Sequence, residues 1–290
     1  DVEPTLPSPL EVGYRTRAKW MVGRDGALGL FRAGTHEVED LPGCIVLRPV
    51  LAEAAAALRR LIASPPAAAG PALVAQADGG ALRGVDLREV VHGGTPRVLA
   101  TLVLAAGGAL ARAHGLAAAE AWAAAVPSIV SVAASLHRGG PQALGDAHEL
   151  LLGAADAPDV IGEGEPPHVA THGAFVQANR GVAAAIERAV LDAIFFDRPA
   201  PRLLELFAGS GSLALAAAQR GATVDAVEAF TPAIDRLERA ARTARLGSRV
   251  RGHAMDSTSA LTRAAARGEA IDSVVVNPPR RGLHPDLREA

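Results

Sequence analysis

The residues best suited to chemistry in this sequence follow apolar runs in its last third. Glu205 lies near the end of one such run, just before a glycine turn, Gly209-Ser210-Gly211, and further runs end in Glu228, near Asp256 and in Asn277. A glycine turn that leads into a helix presents backbone N–H groups to a ligand. An acid about 20 residues later can accept hydrogen bonds from ribose hydroxyls. The pattern therefore predicts a binding site for a ligand that contains a nucleoside.

Strands and helices must alternate to bring these residues together. Each apolar run has the length of a strand, and the alanine-rich segment after the glycine turn has the composition of a helix. A βαβ series of this kind builds a parallel sheet whose strand ends meet along one edge. We therefore expect an α/β fold: a Rossmann-like domain over residues 171–290 with its first four strands, preceded by a smaller α+β domain over residues 1–170.

The glycine turn by itself fits two classes of ligand. Gly209 to Ala214 also satisfy the G-x-G-x-x-A form of a dinucleotide fingerprint, with Glu228 as its acid. Two features argue against a nicotinamide or flavin cofactor. Glu205 would repel a pyrophosphate at the turn but suits a cationic amino-acid group, and a dinucleotide has no evident use for Asn277-Pro278-Pro279. Together the four strand ends favour S-adenosylmethionine.

Several stretches of the sequence resemble one protein family. ELFAGSGS (205–212), VEAF (227–230), Asp256 and NPPRRG (277–282) are similar, in this order, to the class I methyltransferase domain of the bacterial RNA uracil-C5 methyltransferases. FVQAN (175–179) resembles the F-x-Q-x-N segment before that domain. GYRTRAKW, LGLFRAGTHEVEDLPGC and VLRP resemble the region that leads to the family's cluster-binding cysteine. The resemblance implies an S-adenosylmethionine-dependent enzyme that methylates C5 of a uridine in rRNA or tRNA, with RNA as its partner, in the cytoplasm.

The resemblance also implies roles for individual residues at the cofactor. Phe207 and the glycine turn would wrap the methionine end, and Glu205 would orient the turn or the ammonium group. Glu228 would accept both ribose hydroxyls, and Asp256 would accept a hydrogen bond from the adenine amino group, unless it is a solvated loop acid. The residues expected to bind the cofactor are Gln177, Glu205, Phe207, Gly209, Gly211, Ser212, Glu228, Asp256 and Asn277.

A second group of residues is expected at the RNA substrate. Phe175 can stack on a flipped base, and Gln177 can hydrogen-bond the base edge or the cofactor. If residues 168–179 form a strand, alternation places both side chains on one face. The structural alternative has Phe175 in the core and Gln177 as a helix cap. Asn277 would offer its carbonyl oxygens to the base, and Arg280 would meet RNA phosphate or lie in solvent.

Two departures from the family pattern keep other functions open. The family has Asp where this sequence has Asn277, and Asn-Pro-Pro is familiar from enzymes that methylate exocyclic amines of adenine or guanine. Uracil C5 also needs a cysteine thiolate to add to C6, and this sequence has no cysteine after Cys44. The resemblance puts that nucleophile and the general base beyond Ala290, and both ends of the chain look cut. A non-catalytic RNA-binding relative is the third hypothesis.

Composition and charge limit the remaining classes. The net charge of −2 gives no global basic field, so an RNA contact would depend on a local patch. Arg15, Arg17 and Lys19 alternate, and the strand face that they would share either meets RNA phosphates or is solvated. The single cysteine excludes an internal disulfide, and no apolar run has transmembrane length.

Cys44 lies where the family resemblance puts one ligand of an iron–sulfur cluster. Such a cluster needs four ligands, so it is expected only with cysteines that are not in this sequence. A lone buried thiol is the alternative. The histidines are scattered without the spacing of metal ligands, and no further metal site and no protein partner is predicted.

The first 194 residues also predict particular elements. Residues 1–50 are expected to be β-rich, and residues 51–64 have helical periodicity that stops at Pro65. The expected strands are Gly84–Val90, Arg97–Ala105, Ser128–Leu136 and Glu149–Leu152, and the expected helices are Ala117–Ala125 and Arg180–Ile194.

Overall fold

Two compact units make up the chain. The computed structural model describes residues 5–106, 112–139, 144–145, 147–279 and 282–289. The first unit comprises Asp1–Ala157 and Ala170–Arg180, and the second comprises Pro158–Val169 and Gly181–Ala290. Among the residues so described, no helix is long and apolar enough to cross a bilayer.

A seven-stranded mixed sheet forms the frame of the first unit. Its elements in chain order are β1 (Arg17–Val22), β2 (Leu28–Phe31), β3 (Val38–Asp40), α1 (Pro49–Ala63), β4 (Leu82–His92), β5 (Thr95–Ala105), α2 (Arg112–Ala125), β6 (Ile129–His137) and β7 (Ala147–Gly153). The strands lie in the order β3-β2-β1-β4-β5-β6-β7. Neighbours are antiparallel except β5 and β6, which are parallel and are joined through α2. Two further strands, β8 (Asp156–Asp159) and β9 (His168–Thr171), form a separate sheet.

The elements expected from periodicity in this region are present. The helix expected over residues 51–64 is α1, the strands are β4 to β7, and the helix expected over Ala117–Ala125 is the second part of α2. β4 and β5 run beyond their expected ends, as far as the His92–Thr95 pair. Gly93 and Gly94 both have positive φ, at 60° and 74°. Such a backbone is typical of a tight two-residue hairpin turn. The turn lets the two strands stay paired through residues that have no apolar pattern, which is why the sequence did not predict this part of them.

The two faces of the seven-stranded sheet differ in polarity because successive strand residues point to opposite sides. Val85 and Leu87 of β4 belong to the apolar core that α1 and α2 complete. In that core the indole N–H of Trp122 donates to the carbonyl of Ala54 at 2.9 Å, so its one polar group is satisfied. Asp86, between the two apolar residues of β4, faces the other side and is buried there.

The polar face of the sheet holds a buried ion pair. Arg17 Nε donates to Asp86 Oδ1 at 2.9 Å, and Arg17 Nη2 donates to Asp86 Oδ2 at 2.6 Å. The same guanidinium donates to the carbonyls of Gly173 and Ala174. Both interpretations of the alternating basic residues were therefore wrong for Arg17, since its side chain faces neither RNA nor solvent. A partner 69 positions away along the chain neutralises it, which the local sequence pattern does not reveal.

We expect Asp86→Asn to destabilise the first unit by about 3–5 kcal/mol, because the guanidinium of Arg17 would stay buried without its counter-charge. Urea denaturation measures this loss. The matched control is Glu39→Gln, which breaks the exposed Arg32–Glu39 pair (2.7 Å) and should leave the midpoint unchanged. Equal effects of the two substitutions would contradict the assignment of Arg17–Asp86 as a structural pair.

A four-stranded parallel sheet forms the frame of the second unit. Its elements are α3 (Arg180–Ile194), β10 (Arg202–Leu206), α4 (Ser212–Arg220), β11 (Thr223–Glu228), α5 (Thr231–Thr243), β12 (Val250–Ala254), α6 (Ser257–Ala266), β13 (Ser273–Val276) and α7 (Pro285–Glu289). The strands lie in the order β12-β11-β10-β13, all parallel. This is the Rossmann-like α/β arrangement expected from the sequence, and α3 has the predicted bounds.

Helices cover both faces of this sheet. Leu191 of α3, Leu215 of α4 and Leu237 of α5 pack in one core with Leu203 of β10. Leu206 of β10 packs on the opposite side, in a second core that includes residues of α6 and α7. Apolar side chains therefore fill both faces, and Glu205 of β10 is a buried polar exception among them.

Candidate functional site

The candidate site lies at the carboxyl ends of the four parallel strands. The chain runs outward from β10 to β11 and β12, and then returns to place β13 on the other side of β10. The order of the strands therefore reverses between β10 and β13. In open α/β sheets the crevice at such a reversal is where ligands bind. The glycine turn follows β10, and Asn277 follows β13, so both flank this crevice.

The turn after β10 depends on left-handed backbone conformations. Phe207, Gly209 and Gly211 have φ values of 61°, 56° and 75°. A Cβ atom on Gly211 would lie 2.2 Å from Leu237 Cδ1, whereas nothing lies within 4 Å of the corresponding position on Gly209. Gly211 therefore lets α4 begin tight against α5, and Gly209 leaves open space above the turn for a ligand.

Glu228, the last residue of β11, is bonded to the glycine turn. Gly209 N–H donates to its Oε2 at 3.1 Å, and Phe230 N–H donates to its Oε1 at 3.0 Å. Ala208 N–H donates to the carbonyl of Val227 at 3.0 Å, which ties the same two segments together. The carboxylate is thus fixed in orientation by two backbone donors, and its role at the ribose hydroxyls stays a prediction.

Glu205 of β10 is buried and only partly hydrogen-bonded. Its side chain is 6% exposed, the Ala214 N–H donates to it, and its Oε2 has no hydrogen-bond partner. Burial, followed by repulsion from the nearby Glu187, raises the pKa of Glu205 to about 8. An acid with this pKa carries a proton at neutral pH and ionises readily when a cation arrives.

Asp256 and Asn277 follow the ends of β12 and β13. Asp256 Oδ1 accepts a hydrogen bond from Ser259 N–H at 3.0 Å and so caps α6. Its carboxylate is exposed, and a role at adenine stays a prediction. Asn277 is exposed as well, and its N–H points at the carbonyl of Leu206 at 3.5 Å. Arg280, expected at RNA phosphate or in solvent, lies outside the described residues.

Phe175 and Gln177 belong to the first unit, in a loop rather than in a strand. β9 ends at Thr171, and a turn at His172 and Gly173 follows it, so the strand considered over residues 168–179 is present only as far as Thr171. The Thr16 hydroxyl donates to the carbonyls of Gln177 and Ala178. Phe175 is 74% exposed, so the alternative that puts its ring in the core was wrong.

Two residues near the glycine turn were not found from the sequence. Glu187 is buried at the spacing of an apolar helix face, together with Leu191 and Ile194. An acid at an otherwise apolar position of the predicted helix was the signal in the sequence that could have identified Glu187. Phe230 follows Glu228 by two positions, is 60% exposed and lies 5.8 Å from the Arg236 guanidinium. Its exposed ring beside the fixed carboxylate could have marked it as a surface for a base.

Cys44 is a free, partly buried thiol that packs against the core of the first unit. Within the described ranges no group of three or more His, Cys, Asp or Glu side chains is arranged to hold a metal ion. Cys44 therefore packs as a small apolar side chain there.

Comparisons with known proteins find similar sequences for most of the chain. A family model described as conserved hypothetical protein 95 matches residues 176–283. A protein of Nitratidesulfovibrio vulgaris named as an uncharacterized RNA methyltransferase is 28% identical over 305 residues, which cover 100% of this chain and 62% of that protein. A 23S rRNA (uracil(1939)-C(5))-methyltransferase of Chromohalobacter salexigens is 28% identical over 284 residues, 93% of this chain and 52% of that protein. Over most of its length this chain is therefore similar to proteins that are named as RNA methyltransferases.

The fold of this chain is also shared with a solved structure. The tRNA (uracil-54, C5)-methyltransferase of Pyrococcus abyssi, in complex with S-adenosyl-L-homocysteine, matches with a TM-score of 0.74 and 21% identity. The match covers 98% of this chain and 64% of that one. This chain also spans only 62% and 52% of the lengths of the two bacterial relatives.

The two glycines of the turn should respond differently to alanine. Gly209→Ala adds only the strain of a left-handed backbone, on the order of 1–2 kcal/mol. Gly211→Ala adds the same strain plus the clash with Leu237, so we expect it to destabilise the second unit by about 1–3 kcal/mol more. Thermal denaturation of both variants tests this order. A Gly209→Ala variant less stable than Gly211→Ala would refute the packing role given to Gly211.

The stability of the ligand-free protein should fall as pH rises, because of Glu205. Its folded pKa of about 8 exceeds the usual 4.5, so the folded state retains a proton that the unfolded state loses between these values. Glu205→Gln removes that penalty and should stabilise the protein at pH 9 by on the order of 1–3 kcal/mol.

At pH 4.5 and below, the advantage of Glu205→Gln should disappear, since the glutamate is then protonated in both states. Melting temperatures across this pH range measure the effect, with Glu238→Gln, at a half-exposed position of α5, as the control. A Glu205→Gln protein that is less stable than wild type at pH 9 would show that a counter-charge holds Glu205 ionised.

Proposed function

We propose that this protein is an S-adenosylmethionine-dependent RNA methyltransferase that methylates C5 of a uridine in rRNA or tRNA. One observation carries the proposal: the glycine turn lies between two acids, Glu228 fixed by backbone donors and Glu205 buried with an unpartnered oxygen. A ligand for such a turn needs hydroxyl donors at one end and a cation at the other. S-adenosylmethionine has both, in its ribose and in its ammonium group.

The same arrangement disfavours a dinucleotide. The backbone N–H of Gly209 is already bonded to the Glu228 carboxylate at 3.1 Å. A pyrophosphate at the turn would have to displace that carboxylate and then lie close to a second acid, Glu205. Repulsion between like charges at such distances is strong where little water screens them. A diol, in contrast, donates to the Glu228 carboxylate without breaking its backbone bonds, because each carboxylate oxygen accepts more than one hydrogen bond.

RNA as the substrate is supported by the first unit and by the relatives. Phe175 presents its ring to solvent and Gln177 is exposed beside it, the side-chain types that stack on an unpaired base and bond its edge. The relatives carry RNA methyltransferase in their names. We assign RNA contact to residues 1–170 and cofactor binding to residues 171–290. Cys44 offers one of the four ligands that an iron–sulfur cluster needs, and the proposal includes no cluster.

Methylation of an exocyclic amine is the second candidate, and Asn277 favours it. Its exposed side chain at the end of β13 offers a carbonyl oxygen that can accept from an amino group on adenine or guanine. Methylation of uracil C5 instead needs a thiolate that adds to C6 and a general base that removes the C5 proton. The two reactions therefore make different demands on the protein, and their products differ chemically.

The test is methyl transfer from S-adenosylmethionine to unmodified rRNA and tRNA by the full-length protein, followed by mass spectrometry of the nucleosides. We expect 5-methyluridine. An N-methylated purine would replace the first proposal with the second. Retained RNA binding without any methylated product would overturn both and support a non-catalytic relative.

A matched pair of variants tests the cofactor assignment separately. Glu228→Ala should weaken S-adenosylmethionine binding by about 1–3 kcal/mol, roughly 5- to 150-fold in Kd, because the ribose hydroxyls lose a charged acceptor. Glu238→Ala, on the exposed side of α5, should bind like wild type. Calorimetry measures both affinities. Equal affinities for the two variants would remove Glu228 from the site.

A further inference from the structure

The buried face of α3 carries an acid beside the candidate cofactor site. Glu187 is 7% exposed and lies in register with the buried Leu191 and Ile194. Burying a carboxyl on an apolar helix face is unfavourable, and a leucine would fill the position at lower free energy. The side chain is directed to the start of α4, where the hydroxyl of Ser212 donates to it. Ser212 is the residue that directly follows the glycine turn.

Glu187 and Glu205 are near enough to repel each other, and each has an oxygen without a hydrogen-bond partner. These oxygens are Oε1 of Glu187 and Oε2 of Glu205. Besides each other, the groups that shift the pKa values of the two acids are the Ser212 hydroxyl, the Ala214 N–H and a third acid, Glu165. In the described part of the chain none of these groups is a cation, so the pair is short of both donors and positive charge.

While no ligand is bound, bound protons reduce the negative charge of the two acids. Burial, and then repulsion from Glu165, raises the pKa of Glu187 to about 7. Burial, and then repulsion from Glu187, raises that of Glu205 to about 8. Two carboxyls that are close together in a buried place do not both ionise at neutral pH. The pair titrates as a unit, and at pH 7 it holds at least one proton.

We propose that Glu187 is a second acid of the cofactor site, and that the Glu187–Glu205 pair binds the α-ammonium group of the ligand's amino-acid end with release of a proton. This inference rests on the proposed S-adenosylmethionine site and deepens it. The ammonium group has three N–H donors, which the unpartnered oxygens of the two acids can accept. As it binds, one O–H bond of the pair breaks, the proton goes to solvent, and the ammonium keeps all its hydrogens.

Proton release makes the affinity depend on pH and on the amino group. Between pH 6 and pH 8 the affinity for S-adenosylhomocysteine should rise by up to about tenfold per pH unit, because one proton leaves for each ligand bound. The analogue 5′-methylthioadenosine keeps the adenosine and lacks the amino acid. It should bind without proton release and without this slope.

The test is calorimetry at pH 7 in phosphate and in Tris, two buffers with different ionisation enthalpies, which gives the number of protons released. Wild-type protein should release about one proton per S-adenosylhomocysteine and none with 5′-methylthioadenosine. Glu187→Gln should release less than about half a proton and lose the pH slope. Glu163→Gln, an exposed acid of the same unit, should behave like wild type.

The possible outcomes distinguish a failure of the role proposed for Glu187 from a failure of the cofactor assignment on which it rests. Binding of S-adenosylhomocysteine without proton release, or with the wild-type release in Glu187→Gln, would overturn the role of Glu187 and leave the cofactor assignment standing. Absence of any binding would overturn the cofactor assignment and this inference with it. The comparison of the two ligands uses only wild-type protein, so an absence of proton release would overturn the inference even where a variant fails to fold.

Discussion

The bond between Glu228 and the glycine turn is the constraint on which the site depends. It joins the ends of two adjacent parallel strands, β10 and β11, through the backbone N–H of Gly209. Parallel pairing alone would bring these ends near each other, but it would leave the loops free to take many conformations. The carboxylate selects one of them, and it does so with two backbone donors, which every residue type except proline provides.

Charge is treated in opposite ways by the two units. In the first, the buried Arg17 and Asp86 neutralise each other, and the carbonyls of Gly173 and Ala174 accept two further hydrogen bonds from the guanidinium. In the second, Glu187 and Glu205 are buried to the same degree, and each has an oxygen without a hydrogen-bond partner. A paired buried charge stabilises a fold, whereas buried acids with perturbed pKa values are found most often at functional sites. This contrast is the physical reason for proposing a cofactor site in the second unit.

The sequence predicted most of the second unit because its signals are local. Apolar runs, the glycine turn and the acids at strand ends lie within a few residues of the elements that they specify. The pairing of Arg17 with Asp86 and the approach of Glu187 to Glu205 depend instead on contacts between distant parts of the chain, which no periodicity records. The loop at Phe175 was missed for another reason: alternation over residues 168–179 fits a strand, but the turn at Gly173, with φ of 75°, interrupts it.

The order of the strands also has a consequence for how the protein folds. Leu206 pairs with Val227, 21 positions later, and with Val276, 70 positions later. Closing the longer loop loses more chain entropy, so pairs of this kind form late. The turn and Glu228 can therefore assemble from a short stretch as it leaves the ribosome, while Asn277 reaches the same crevice only when β13 has docked. We therefore expect the crevice to form in two stages, with the side that holds Glu228 before the side that holds Asn277.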